Sequence, residues 1–419
     1  MKSRRRDPKA RNPFPLRNRL QDQWNPLLKA WSNEVQIPNP EKRAPMKQHF
    51  VLLTCALGLM ACEKDTPPAP LSDYDPSAAT EALKDAASFP VGAAVNYNNF
   101  LANPPYSNLV KRDFNSITLE NEMKNASIVK GGGTFDFSRA DAMVDAAGNL
   151  QIFGHTLVWH TQQAASYYKS AAGITSSPAA SQEEIAAKLD AELRRTIGTI
   201  AGHYKGKVKA WDVINELFAD NGAIRNNSNT STSGSDVLVW SHYLGKNLGA
   251  KAFQYAAEAD PSAKLFLNDY GLESNPAKLD SLIAFVNELK ATSVKIDGIG
   301  TQMHISLNTP RAGIESMFKK LAATGLLVRV SELDIRVNPG SATGFVFTPA
   351  ISESQAEMYH FVVKSYIDHV PSSQRHGITV WGVMDASSWR YQNGNDFPLL
   401  YDNQFNKKPA YAGFLKALN

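Results

Sequence analysis

Val208-Lys209-Ala210-Trp211-Asp212-Val213-Ile214-Asn215-Glu216 runs apolar and β-branched through its middle, then closes on an amide and a carboxylate. Strand interiors favour residues such as Val213 and Ile214 and are poor in Asn and Glu, so the run reads as a buried strand emptying into a polar site. The alternative is a strand that simply meets solvent at Asn215. What separates the two is whether other strands end the same way, and whether one of them brings a second carboxylate.

Working outward, strand-like and helix-like segments alternate on both sides of this stretch. Before it, 89–95, 114–119 and 151–159 read as strands; 107–113 closes a helix, and 181–203 is a long amphipathic one with Ser181 and Glu184 spaced as a capping box. After it, strands at 264–267, 296–302, 327–333 and 377–383 are separated by helices at 240–259, 276–290, 313–323 and 352–370. Parallel neighbours need a crossover connection, so short strands alternating with helices predict a parallel sheet covered by helices. Eight such units predict an α/β fold, a single closed (β/α)8 TIM barrel, whose chemistry lies at the C-terminal ends of the strands.

Polar residues cluster at those ends. The second strand runs into Glu120, Asn121 and Lys124; the third holds His155 and ends on Trp159-His160-Thr161-Gln162; the fourth ends on Asn215-Glu216. The fifth ends on Asn268-Asp269-Tyr270, the sixth on Gln302-Met303-His304, the seventh on Glu332-Leu333-Asp334, and the eighth carries Trp381, Asp385 and Trp389. Glu216 and Glu332, on different strands amid amides, imidazoles and indoles, fit glycosidic bond cleavage, in which one carboxyl protonates the leaving oxygen and the other attacks or stabilises the oxocarbenium-like carbon. Indoles suit sugars because pyranose C–H faces are apolar. The competing chemistry is a metal hydrolase built on His155, His160 and His304; no local His-x-x-x-His spacing supports it, so no metal and no cofactor are expected.

Composition bounds the rest. The chain of 419 residues carries 44 Lys and Arg against 40 Asp and Glu; residues 1–45 hold 11 and 4 of these, a net of +7, and the remainder 33 and 36, a net of −3. The basic balance therefore belongs to the leader, and nothing points to nucleic acid as a partner. Both cysteines, Cys55 and Cys62, lie in one apolar segment, so no later disulfide is available. From Met46 a basic start, a run of about 12 apolar residues and a polar turn have the architecture of a signal peptide, too short to span a bilayer. Leu59-Met60-Ala61-Cys62 is similar to a bacterial lipobox, which implies lipidation of Cys62, a membrane link only through that anchor, and an exported, envelope-bound protein; the alternative is an ordinary secretory signal. The reading divides the chain into a basic leader (1–45, disordered or untranslated), a lipoprotein-type signal (46–62), a Pro/Asp/Ser-rich linker (63–78) and a catalytic barrel (79–419), expected to act as a monomer.

The ordered set of motifs carries a resemblance. Phe114-Asn115-Ser116-Ile117-Thr118-Leu119-Glu120-Asn121-Glu122-Met123-Lys124, Gly154-His155-Thr156-Leu157-Val158-Trp159-His160, Trp211 to Glu216, Gly300-Thr301-Gln302-Met303-His304, Ser331-Glu332-Leu333-Asp334-Ile335 and Trp381-Gly382-Val383 through Ser388-Trp389 resemble glycoside hydrolase family 10, the retaining endo-β-1,4-xylanases. The resemblance implies Glu216 as acid/base, Glu332 as nucleophile and Asn215 as the ligand of the sugar 2-hydroxyl. Gln302 and His304 would support the nucleophile, and Asp334 would orient His304. Glu120, Asn121 and Lys124 would grip the next sugar, while His155, Trp159, Gln162, Trp381 and Trp389 would wall the cleft. Lys124 and Trp381 would crowd a glucose hydroxymethyl, favouring xylan over cellulose. Tyr270 is either a rim platform that touches substrate or a packed aromatic.

Other residues read as structural. Trp211 and Asp212 lie mid-strand, Asp269 and Asp385 read as anchors, and His160 as either a satisfied structural histidine or a site group. Two positions depart from the family pattern: Asn125, where Trp is common, and Phe153, where a basic residue is common. The Asn- and Ser-rich segment 221–236 reads as a loop over the leaving-group side or a plain disordered insertion. Rival functions are a β-1,4- or mixed-linkage glucanase on the same barrel and a glycan-binding surface lipoprotein without catalysis.

Overall fold

The computed structural model describes residues 73–178 and 180–419. Leader, signal with Cys55 and Cys62, and most of the proposed linker lie outside the described residues.

Nine strand segments, all paired in parallel, form the sheet: β1 (Val91–Val95), β2 (Ser116–Leu119), β3 (Gln151–Val158), β4 (Val208–Asn215), β5 (Lys264–Asp269), β6 (Gly298–Thr301), β7 (His304–Ser306), β8 (Leu327–Arg336) and β9 (Arg375–Val380). Neighbours follow in chain order from β1 to β6, β9 pairs with β1, and β6 pairs with β8, so the sheet closes into the eight-stranded (β/α)8 barrel. The ninth segment arises because the sixth barrel strand is broken. β8 pairs first with β6 (Leu327 to Val330) and further along with β7 (Asp334 to Arg336). Between the two halves Met303 takes a φ of 56°, and Glu332 N donates to Gln302 O at 3.1 Å. The break turns the Gln302 and His304 side chains toward the barrel mouth.

The helices form where the apolar periodicity places them. Gln182–His203 starts on the expected capping box: Glu184 N donates to Ser181 Oγ at 3.2 Å and Ser181 N to Glu184 Oε2 at 3.0 Å. The helix expected over 240–259 is instead two, Trp240–Leu244 and Asn247–Ala259, because Gly245 adopts a φ of 58° that ends the first. The C-terminal helix Pro409–Leu418 packs on Pro349–His369 so closely that a Cβ at Gly413 would lie 2.2 Å from Ala356 O. Tyr74, at the start of the described chain, lies against this pair, its ring 6.0 Å from that of His360 and 4.9 Å from Lys416 Nζ.

Inside the barrel, Phe153, Ala210 and Phe266 form a small apolar layer, and the Arg329 guanidinium lies 3.5 Å from the centre of the Phe153 ring. A side chain at Gly298 would strike Phe266, which explains the glycine. Among the described residues, no helix is long and apolar enough to cross a membrane.

Candidate active site

The C-terminal ends of the strands enclose a cavity of about 360 Å³. Its lining contains Glu120, Asn121, Lys124, His155, Trp159, Gln162, Asn215, Glu216, Gln302, His304, Glu332, Trp381 and Trp389. Every residue named from the sequence as touching substrate is therefore brought together, except Tyr270. That side chain is taken up elsewhere: its hydroxyl donates to Asp220 Oδ1 at 2.5 Å and accepts from Arg225, and Lys278 Nζ lies 3.2 Å from the centre of its ring.

Glu332 is held from two sides. Asn268 Nδ2 donates to its Oε1 at 2.8 Å, and His304 Nε2 lies 3.2 Å from its Oε2. His304 Nδ1 is 2.8 Å from Asp334 Oδ2, and the same oxygen accepts from Trp389 Nε1 at 2.9 Å. Burial alone would pull the His304 imidazole down, but Asp334 and Glu332 outweigh it and push its pKa up to about 10. The ring is therefore an imidazolium with both N–H groups donating. Burial alone would likewise push the Glu332 carboxyl up; the charges of His155 and His304 and the donors His304 and Asn268 hold it below the usual carboxylate range.

Glu216 is the opposite case. Its side chain is 16% exposed, and burial raises its pKa; the nearby Trp159 indole N–H and the Gln302 amide pull the other way, while the Asp269 and Glu332 charges add to the rise. Gln302 Nε2 is 3.2 Å from Glu216 Oε1. The residue itself sits at a φ of 58°, and this backbone is secured by Glu216 N donating to Asn268 O (2.8 Å) and Arg225 Nε donating to Glu216 O (3.1 Å). His160 Nδ1 lies 3.9 Å from Glu216 Oε2 and has no hydrogen-bond partner among the described residues. Burial, with Arg225 and Lys278 nearby, draws its pKa down to about 3 and keeps it neutral.

A chain of amides joins the two carboxylates. Asn215 Oδ1 accepts from Asn268 Nδ2 at 2.9 Å and from Gln302 Nε2 at 3.1 Å, which leaves Asn215 Nδ2 for a ligand. Asn268 is the residue that sequence reasoning missed. It was visible as a polar strand end, but its part depends on Gly300 beside it on β6, where a Cβ would lie 2.3 Å from Asn268 Oδ1.

The residues read as anchors behave as such. Asp269 pairs with the buried Lys278 at 2.8 Å and accepts from Phe218 N; Asp385 pairs with Lys408 at 2.9 Å and accepts from Leu399 N. Asp212 holds His155 Nδ1 at 2.9 Å, and Trp211 is fully buried. Asn125 is buried, donating to Tyr168 Oη at 2.8 Å and accepting from Ala164 N. Segment 221–236 is more organised than a plain insertion: Asn226 N donates to Asn229 Oδ1 (2.6 Å), Ser228 N to Asn226 Oδ1 (2.8 Å) and Thr230 Oγ1 to Asn226 O (2.6 Å). Among the described residues, no three His, Cys, Asp or Glu side chains converge as a metal site would require.

A parallel barrel with two carboxylates of opposed environment, joined by amides and walled by indoles, defines the class of a glycoside-cleaving enzyme. The Glycosyl hydrolase family 10 model matches residues 79–417, and the chain belongs to that family. Among its relatives are endo-beta-1,4-xylanase Xyn10C of Cellvibrio japonicus, 38% identical over 369 residues covering 82% of this chain and 58% of that protein, and exoglucanase XynX of Acetivibrio thermocellus, 34% identical over 333 residues covering 77% and 28%. The chain thus spans little more than half the length of the first and under a third of the second. A mutant of xylanase 10C from C. japonicus solved with xylopentaose superposes with a TM-score of 0.71 at 35% identity, covering 81% of this chain and 69% of that one.

Proposed function

We propose that the protein is a retaining endo-β-1,4-xylanase acting by double displacement. The observation that carries this reading is the contrast between the two carboxyls: Glu332 lowered and held by two donors, Glu216 raised. Glu332 attacks the anomeric carbon as Glu216 protonates the departing glycosidic oxygen; Glu216, now a base, then takes a proton from the water that releases the glycosyl group. His304 keeps Glu332 ionised and correctly turned, and Asp334 and Trp389 turn His304. The free amide N–H of Asn215 faces the 2-hydroxyl of the sugar at the cleaved bond. Lys124, Asn121 and Glu120 grip the next sugar, with Lys124 Nζ 3.2 Å from Asn121 Oδ1 and 5.3 Å from the centre of the Trp159 ring.

The test is proton NMR of the first products from xylan. β-Anomers are expected, and an initial α-anomer overturns the mechanism. The name of XynX keeps a β-1,4-glucanase as the second reading; initial rates on xylan and carboxymethyl cellulose separate the two, xylan being expected to lead. The proposal extends to the cell: the bacterial lipobox-like Leu59-Met60-Ala61-Cys62 supports export and anchoring through lipidated Cys62. Metabolic labelling with a radioactive fatty acid, lost in Cys62→Ser, checks it. The protein acts without a cofactor, as a monomer, on xylan or xylo-oligosaccharides.

A further inference from the structure

A second concavity, about 330 Å³ and so close in size to the catalytic one, lies beside the loop that follows β4. Lys169, Asn227, Ser233 and Tyr243 contribute polar side chains to its wall, and Val237 to Val239 close it. Among the described residues, no carboxylate lines it. None of these four side chains has a hydrogen-bond or ion-pair partner among the described residues, so an ammonium, an amide, a hydroxyl and a phenol are all left for something else.

The pocket has firm walls. One side is the hydrogen-bonded turn 226–230 described above. The other is zipped to the strand-three end: Leu238 N donates to His160 O (3.0 Å), Gln163 Nε2 to Leu238 O (2.7 Å) and Trp240 Nε1 to Gln163 Oε1 (2.6 Å). It is also tied to the lining of the catalytic cleft through one residue. Asp236 Oδ2 accepts from Gln162 N at 3.0 Å, Gln162 lines the cleft, and Val237, the next residue along, lines the pocket, a step of about 3.8 Å of backbone.

We propose that this pocket binds an anionic sugar, a pyranose bearing a carboxylate, carried as an acidic branch on the polysaccharide held in the cleft. A lone cation among neutral hydrogen-bonding groups and one aromatic ring is the complement of such a ligand: the ammonium meets the carboxylate, the amide and hydroxyls meet the ring hydroxyls, and Tyr243 offers an apolar face. The proposal rests on the xylanase reading for its polymer, but the pocket can be tested without it.

The experiment compares the wild-type full chain with Lys169→Met and Lys169→Arg on glucuronoxylan and on linear, uncharged xylo-oligosaccharides. Lys169→Met is expected to raise KM on glucuronoxylan by roughly 3- to 10-fold with kcat kept, what one partly exposed charge-assisted contact supplies. Lys169→Arg should recover most of the loss, and the uncharged substrate should show no change. Raising the salt concentration should weaken the wild type on glucuronoxylan and leave Lys169→Met nearly insensitive. Equal effects on both substrates, or none on either, overturn the proposal. Titration of methyl glucuronide and methyl xyloside into the protein reads the pocket directly, with glucuronide binding lost in Lys169→Met expected. If the wild type cleaves neither polymer, the xylanase reading falls and this titration still decides the pocket; no preference for the glucuronide overturns it.

Discussion

Glu216 and Glu332 face one cavity and are built in opposite ways. Glu332 ends a ladder of supports, with Asp334 holding His304, His304 and Asn268 holding the carboxylate, and Ser331 Oγ fixing Asn268 from behind at 2.7 Å. Glu216 has its backbone clamped and its carboxyl left largely to burial, with Gln302 and a neutral His160 beside it. In the proposed mechanism the group that must stay charged has a cationic imidazole and an amide donating to it, while the one that must carry a proton has the Gln302 amide alone, outweighed by burial. On the proposed double displacement, the two surroundings, more than the two glutamates, separate nucleophile from acid.

The largest effect should break that asymmetry at its charged end. Glu332→Ala is expected to reduce kcat on xylan by roughly 10⁴-fold or more, because no other group can form the covalent intermediate. Glu216→Ala should cost about 10²- to 10⁴-fold on xylan, the range of general acid catalysis. On an aryl xyloside whose phenol leaves without protonation, formation of the intermediate should largely survive in Glu216→Ala and fail in Glu332→Ala. Burst kinetics on that substrate check the assignment, and equal losses in both variants would reverse it.

Next in size is Asn268→Ala. It removes donors from both Glu332 and Asn215 and leaves a cavity beside Gly300. A loss of about 30- to 100-fold in kcat/KM is expected, corresponding to roughly 2–3 kcal/mol for an unpaired buried charge-assisted bond. Circular dichroism and thermal melting separate this loss from misfolding. An effect below threefold would mean that His304 alone holds the nucleophile.

Asn268 also marks how far the sequence is legible. The barrel, the two carboxylates and the polar strand ends follow from local pattern, since the period-two alternation and the position of each end are local properties, while the choice of which ends wall the cavity is what the family resemblance implies. What stays hidden depends on neighbours far along the chain. Asn268 looks like any polar strand end until β5 and β6 come into register and Gly300 makes room for it. The break at Gln302-Met303 carries no Gly or Pro to announce it; Met303 is driven to a positive φ by its two flanking pairings with β8. Gly245, by contrast, is a stop written into the sequence inside 240–259, where its φ of 58° ends the first helix. Tyr270 had a plausible place on a rim, and only the positions of Asp220, Arg225 and Lys278 draw it to another use.

The asymmetry also predicts the pH profile. Glu332 must be ionised and Glu216 protonated, so kcat/KM should fall at low pH through the lowered pKa of Glu332 and at high pH through the raised pKa of Glu216. Asp334→Asn keeps the shape of the partner and removes its charge. Burial then pulls His304 down unopposed by Asp334, the ring loses its proton at lower pH, and Glu332 loses a neighbouring cation. The acid limb should move up by about one pH unit while the alkaline limb stays. Movement of the alkaline limb instead would place Asp334 in the service of Glu216.

The smallest effect is expected at Tyr270, and it sharpens the comparison from the acid side. Its hydroxyl donates to Asp220 and accepts from the Arg225 guanidinium, which also holds the Glu216 carbonyl. Tyr270→Phe removes both contacts but leaves the ring over Lys278, and Arg225 keeps its bonds to the Glu216 and Phe218 carbonyls. If the clamp on Glu216 is made by backbone contacts, kcat on xylan should change by less than about threefold, since one partly exposed hydrogen bond is worth about 0.5–1.5 kcal/mol and only part of it reaches the site. KM should stay the same, because the ring does not line the cavity. A rise in KM confined to long oligosaccharides would instead restore Tyr270 as a rim platform; a fall in kcat with a shifted alkaline limb would show that Arg225 needs the phenol to keep Glu216 in its left-handed conformation.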